Sequence, residues 1–232
     1  TSLLKIPTGS KTSAYNPLHR KVNVTRLVGD KCVEFTSEPL SDKTTKINVY
    51  EAERKGPTDV LENDLIKVSF KSNGNIDSVF DKELNTEILR SPGNKLKVYN
   101  DSGNAWNIRS KYRYQFARKP KLVESKHFKS GRTNYVEQKY EYRKSTITQK
   151  VMLHPNQKLI EFETKLDWQS PKKMLRTAFP LKLKTKEAIC DIQFGSISRS
   201  TGNKTKIEKA RWEVPAQKWV DMSNGKYGAA VI

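Results

Sequence analysis

The stretch Leu65-Ile-Lys-Val-Ser-Phe-Lys-Ser-Asn-Gly-Asn-Ile-Asp-Ser-Val-Phe80 decides the fold class. Two runs of alternating apolar and polar residues flank Asn73-Gly74. Asn-Gly accepts positive φ at low steric cost, and so suits a hairpin turn whose twist matches that of its strands. The rest of the chain repeats this grammar. Val22, Val24, Leu27 and Val28 predict an opening strand, and Ile47 and Val49 another. Leu96-Lys-Val-Tyr99 continues the sheet, and Asn100-Asp-Ser-Gly-Asn104 reads as a loop. A meander follows through Tyr112, Tyr114 and Phe116, then Tyr135 to Tyr142, Thr146 to Leu153 and Leu159 to Trp168. Ala178 to Leu183 and Ile189 to Ile197 predict two further strands. Long apolar runs at helical spacing are missing. Many strands joined by short polar connections predict an all-β protein, a large antiparallel β-sandwich. Gly56-Pro57 breaks the pattern. It suggests a small N-terminal β portion over residues 1–57 and a main sandwich over 58–232.

Composition narrows the function. Lys and Arg number 44 against 25 Asp and Glu, a net charge of +19. Nucleic acid would suit such a charge, but the basic residues are scattered along alternating strand positions. The densest run, 109–144, has twelve Lys or Arg against three Glu and no nucleic-acid motif. A solvated, lysine-rich surface is therefore the expectation. No apolar run has the roughly 18 residues of a membrane span, and residues 1–20 lack a signal-peptide layout. The opening Thr is compatible with a piece of a longer protein. Cys32 and Cys190 are the only cysteines, read as buried thiols more readily than as a distant disulfide. Asn23-Val-Thr and Asn203-Lys-Thr match the N-glycosylation triplet.

The residues that carry chemistry form no catalytic pattern. His19, His127 and His154 fall in no zinc-ligand spacing, and His19 and His154 read as surface or turn residues. There is no phosphate loop and no Gly-x-Ser-x-Gly elbow. Asp64, Asp81, Asp101, Asp167, Asp191 and Asp221 are spread without the pairing a glycosidase needs. From the residues alone, no catalytic or metal site is expected in this chain.

Seven segments, in order, add a resemblance. Asn16-Pro17-Leu18 opens it. Leu61-Glu-Asn-Asp-Leu-Ile-Lys-Val-Ser-Phe70 and Gly74-Asn-Ile-Asp-Ser-Val-Phe-Asp-Lys-Glu-Leu84 follow. Pro92-Gly-Asn-Lys-Leu96 leads to Asn104-Ala-Trp-Asn-Ile108. Leu166-Asp-Trp168 leads to Lys173-Met-Leu-Arg-Thr-Ala-Phe-Pro-Leu181. Phe194 to Thr201 and Trp212 to Asp221 complete the set. Together they resemble the β domain of the glycoside hydrolase family 38 α-mannosidases, from about Asn16 to the end. Departures are Asn107 where the pattern has Asp, Ser200 where it has Pro, and Gln217 where it has His.

The resemblance implies a supersandwich of the galactose-mutarotase type, truncated at its C-terminal end. It implies that the parent hydrolyses terminal α-linked mannose, with zinc and the reacting carboxylates in a separate catalytic barrel. This chain would be a non-catalytic support, inactive alone. Trp106, Asn107 and Arg199 are candidates for the rim of the sugar pocket, by stacking and hydrogen bonding. Trp212, Lys218, Trp219 and Asp221 are candidates for the domain interface, while Trp168 and Phe179 are expected in the core. The barrel of the same polypeptide and mannose-containing oligosaccharides are the expected partners, with a homo-oligomer left open. The branch resembled points to a cytoplasmic protein. A free-standing carbohydrate-binding module is the alternative, followed by a basic nucleic-acid scaffold.

Overall fold

A computed structural model describes residues 18–40, 47–56, 59–103, 108–211 and 213–232. The first strands are β1 (Val22–Val28), β2 (Lys31–Ser37), β3 (Asn48–Tyr50), β4 (Ala52–Arg54) and β5 (Val60–Glu62). Then come β6 (Ile66–Phe70), β7 (Ile76–Asp81), β8 (Thr86–Glu87), β9 (Lys97–Asn100) and β10 (Phe116–Arg118). The meander is β11 (Lys121–Ser130), β12 (Thr133–Tyr142), β13 (Ser145–Leu153) and β14 (Ile160–Asp167). The last strands are β15 (Lys173–Arg176), β16 (Glu187–Ile192), β17 (Gly195–Ser200), β18 (Val220–Ser223) and β19 (Gly228–Val231). A short helix, α1 (Lys206–Ala210), and a 3-10 turn over Ser110–Tyr114 complete the described elements. The chain is therefore all-β, built from antiparallel sheets, as the sequence pattern requires. It folds as two compact units, 1–66 with 121–169 and 67–120 with 170–232.

In the first unit, a five-stranded sheet runs β14-β13-β12-β11-β4. One of its faces pairs Val136 with Val151 and Phe162, and Tyr140 with Ile147 and Leu166. Val136, Tyr140, Ile147 and Val151 are buried, which is where the period-2 alternation places its apolar set. The β1-β2-β3 sheet is tied to the five-stranded one by polar groups. The buried Lys150 ammonium donates to Gly29 O at 2.9 Å and to Asp30 Oδ1 at 2.6 Å. Ser130 Oγ donates to Tyr50 O at 2.7 Å and accepts from Cys32 N at 2.9 Å. The β11–β12 turn needs Gly131. Its φ is 56°, and a Cβ there would stand 2.8 Å from Tyr50 Cδ2.

The second unit holds β6-β7-β8, the sheet β10-β9-β15 and the sheet β17-β16-β18-β19. The Asn73-Gly74 hairpin forms, with one difference from expectation. Only Gly74 has positive φ, at 83°. Gly74 N donates to Lys71 O, and Lys71 N donates to Asn75 O, both at 2.8 Å. The connection is thus a tight turn ending in a left-handed glycine, rather than a two-residue turn with both residues left-handed.

Three expected strands are corrected. Tyr112 and Tyr114 coil into the 3-10 turn, because Tyr112 is buried edge-on against Tyr99 while Tyr114 is 84% exposed, and the chain returns to a strand only at Phe116, the start of β10. Ala178 to Leu183 is extended but not a regular strand, since Pro180 has no N–H for a ladder. It is held by single bonds such as Arg90 N to Pro180 O. Ile189 to Ile197 is two strands, folded at Gln193 and Phe194.

Candidate functional site

Two of the resemblance motifs hold turns through a side chain. Asn63 Nδ2 donates to His154 O and Gln157 O at 2.7 and 2.9 Å, while its Oδ1 accepts from Leu65 N and Ile66 N. One amide side chain thereby fixes two turns. Asp81 Oδ1 accepts from Leu84 N at 2.9 Å, closing the Asp81-Lys-Glu-Leu84 turn. Glu87 accepts from Ser78 Oγ, Val79 N and Leu89 N, joining β7 to the chain beyond β8. These side chains tie turns and strands of the fold together.

The first unit contains a buried relay that the sequence did not reveal. Cys32 Sγ lies 3.4 Å from Thr133 Oγ1, which lies 2.9 Å from His154 Nδ1. His154 Nε2 is 2.9 Å from Glu161 Oε2, and Arg26 donates to Glu161 Oε1 at 3.0 Å. His154 is only 1% exposed, which corrects its reading as a surface residue. Its ring replaces solvent with Thr133 and Glu161, as a buried polar group must. The available signal was the position of His154 and Glu161 on either side of one hairpin turn. The bond from His154 holds the Glu161 carboxyl below its usual range. A cysteine, a histidine and a carboxylate in one chain suggest a nucleophile, but the geometry opposes that. Cys32 touches Thr133 rather than His154, is 0% exposed, and burial pushes its thiol up. A nucleophilic cysteine needs access and a lowered pKa. The relay is a structural tie.

Both cysteines are free and buried. Among the described residues, no three His, Cys, Asp or Glu side chains gather into a set that could hold a metal. His154 has both nitrogens engaged, and the His127 nitrogens are buried with no hydrogen-bond partner. These residues do not fit zinc.

The described site candidates, Arg199, Lys218, Trp219 and Asp221, belong to the second unit. Trp106, Asn107 and Trp212 lie outside the described residues. The segment Asp101 to Gly103 begins with an Asx turn, Gly103 N donating to Asp101 Oδ1 at 2.8 Å. Its base is held by Asp101 N to Lys172 O at 2.9 Å and Asn100 N to Gln115 O at 2.8 Å. Tyr112, Arg176 and Glu213 then meet: Arg176 donates to the Glu213 carboxylate and the Tyr112 hydroxyl, and its guanidinium sits 5.2 Å over the Tyr112 ring. Tyr112 also donates to Glu213. Glu213 follows Trp212 in sequence, so this cluster pins the 213–219 segment to β15 and the 3-10 turn.

Asp191 organises the remaining candidates. Its carboxylate accepts from Lys218 N, its N–H donates to Trp219 O, and its carbonyl accepts from Gln217 N, each at 3.0 Å. Lys218 is exposed, while Trp219 and Asp221 are half-buried, and Asp221 pairs with Ile189 on β16. Arg199 on β17 pairs with Ala188. Its Nε is shielded from water and has no hydrogen-bond partner. Thus Arg199 and Asp221 lie on one four-stranded sheet, and Lys218 and Trp219, just before β18, are tied to its β16 by Asp191. Trp168 stacks on Tyr142 at 5.6 Å, and both Trp168 and Phe179 are half-buried rather than central to the core.

The fold and its residues define an all-β domain whose described side chains tie strands and turns together. Residues 61–232 match the model of the glycosyl hydrolases family 38 C-terminal domain, and the chain belongs to that family. Alpha-mannosidase G of Dictyostelium discoideum is 29% identical over 184 residues, 75% of this chain and 17% of that protein. The alpha-mannosidase of Saccharomyces cerevisiae is 25% identical over 218 residues, 84% of this chain and 20% of that one. The chain therefore spans about a fifth or less of these relatives. A glycosyl hydrolase family 38 protein from Enterococcus faecalis shares the fold, with a TM-score of 0.63 and 15% identity over 91% of this chain and 32% of that structure.

Proposed function

We propose that this chain is the non-catalytic β domain of an α-mannosidase whose catalytic barrel and zinc belong to another part of the same polypeptide. The parent would hydrolyse terminal α-linked mannose from oligosaccharides. The match of residues 61–232 to the family's C-terminal domain carries this reading. An N-terminal β portion over residues 1–57 leading into a 58–232 sandwich is part of the proposal. The described side chains supply no metal ligand set, so the barrel would have to supply it. Among the described residues no helix is long and apolar enough to cross a membrane; a cytoplasmic setting is part of the proposal.

Within this reading, Arg199 faces the sugar pocket or a barrel carboxylate. The unpartnered Nε supports that role, since a shielded guanidinium donor gains from an acceptor brought by a neighbour. Trp106 and Asn107 would line the rim. Trp212, Lys218, Trp219 and Asp221 would meet the barrel. A free-standing carbohydrate-binding module would present exposed tryptophans, whereas the described ones, Trp168 and Trp219, are half-buried.

The deciding experiment is hydrolysis of an aryl α-mannoside with added zinc by the full-length gene product and by residues 1–232. Turnover by the longer protein alone is expected. Turnover by residues 1–232, or none by either, overturns the reading. In the active parent, Arg199→Met should raise KM about tenfold, the loss of one charge-assisted hydrogen bond.

A further inference from the structure

Phe194 stands at the tip of the β16–β17 hairpin. Ile192 pairs with Gly195, which leaves Gln193 and Phe194 as the turn. Phe194 has φ 63°, in the left-handed region where a bulky residue is a genuine outlier. Its side chain is fully exposed, at 109% of the reference area. The tip stands clear, since a Cβ on the adjacent Gly195 would meet nothing within 4 Å. Asn or Gly would serve this turn better on both counts, relieving the backbone and removing an apolar ring from water. Two local rules broken at one residue mark a site where something outside the fold compensates.

The same edge strand continues the pattern. Ile197 is 40% exposed although its cross-strand partner Cys190 is fully buried. Arg199, two residues on and on the same face, holds the shielded Nε without a partner. Along roughly 17 Å of strand, the hairpin presents a projecting ring, an aliphatic side chain and a guanidinium. A projecting knob fits a protein pocket rather than a sugar, because ligand sites are concave while an interface anchor fills its partner's cavity.

We propose that Phe194 is the anchor by which this domain docks on the remainder of its own polypeptide, entering an apolar pocket there with Ile197 at the rim. The proposal rests on the mannosidase-domain reading for its occupant. The chain covers only 17% and 20% of the mannosidases it matches, so most of such a polypeptide is available to supply the pocket.

Hydroxyl-radical footprinting of the full-length wild-type protein tests it. Phe194 should oxidise at least about tenfold more slowly in the native protein than in the urea-unfolded one, as a buried anchor would. The variant Phe194→Asn supplies an opposite-sign test. A free tip gains from Asn, so the thermal midpoint would hold or rise. A docked tip loses its anchor, and the midpoint falls by at least about 2 °C. Oxidation at the unfolded rate, or an unchanged or raised midpoint in Phe194→Asn, overturns the proposal. Protection that vanishes on dilution assigns the pocket to a second copy and overturns the stated occupant. Zinc-dependent hydrolysis by the same wild-type sample is scored separately. Protection without hydrolysis retains the docking and rejects the mannosidase reading, and hydrolysis with an open Phe194 does the reverse.

Discussion

At the scale of single residues, two half-buried groups contribute to the acid side of stability. Glu161 is held below its usual range, first by the bond from His154. A carboxyl with a lowered folded pKa stabilises above its unfolded value of about 4.3, and that contribution fades as pH falls through the folded value. His127 is the opposite kind of group with the same direction of effect. Burial, followed by the Lys55 charge, pushes it down. Its stability is complete above the unfolded value of about 6.5, and declines below it because the unfolded chain takes the proton first. Urea unfolding at pH 7.5, 5.5 and 3.5 should therefore show two successive losses. His127→Leu should remove the first and Glu161→Gln should shrink the second. Glu161→Ala should cost about 1–3 kcal/mol at pH 7.5 by leaving the buried His154 Nε2 without its acceptor. A parallel pH profile in both variants would contradict the assignments. His154 itself shows what sequence patterns do not carry. Its partners Thr133 and Glu161 come from different strands, and nothing local to His154-Pro155 signals burial.

At the scale of elements, strand positions were readable wherever a side-chain alternation coincided with a ladder. Tyr135 to Tyr142 and Thr146 to Leu153 are such cases, falling within β12 and β13. Alternation failed at Tyr112 and Tyr114, where the same spacing fits a 3-10 turn that buries one ring and exposes the next, while Phe116 does open β10. The helix α1 was not among the expected elements, although Thr205-Lys-Ile-Glu208 is a capping box, with Thr205 accepting from Glu208 N and the Glu208 carboxylate accepting from Thr205 N. These backbone bonds, with Ser200, hold Glu208 down to about 2. The candidate site was less legible. Tyr112, Arg176 and Glu213 are far apart in sequence and converge only through β9, β15 and the 3-10 turn.

Two element-level predictions follow from how the first unit's sheets are tied. Gly131→Ala must hold a left-handed backbone and move the Tyr50 ring, at a cost of about 1–3 kcal/mol. Lys150→Met keeps the bulk within β13 but removes the donor to Gly29 O, at a cost of about 1–3 kcal/mol. Chemical denaturation of each variant reads these values, and a neutral Lys150→Met would show that apolar packing alone holds the β1–β2 turn.

At the scale of the whole molecule, charge is the dominant imbalance. The observed ion pairs are mostly exposed, as with Lys21–Glu38 and Lys31–Glu51, and exposed pairs contribute about 0–1 kcal/mol each. They leave +19 of net charge. Salt acts unequally on the two terms. A pair at 2.6 Å, such as Lys31–Glu51, lies well inside the screening length of about 8 Å at 0.15 M. Repulsions between surplus cations act over longer distances, and are the first to be screened when ionic strength rises from 0.01 M, where the length is about 30 Å. Net self-repulsion destabilises the compact state. The thermal midpoint should therefore rise between 0.01 and 0.15 M NaCl. A single-stranded polynucleotide titrated over the same range distinguishes scattered charge from a built nucleic-acid surface. Scattered charge should give weak binding that vanishes by 0.15 M. A surface with many aligned phosphate contacts would retain a Kd tighter than about 10⁻⁶ M at that salt, beyond the usual non-specific range. A midpoint that falls with salt would place the net balance with the attractive pairs, and the lysine-rich surface would then be a stabilising network rather than a solvated excess.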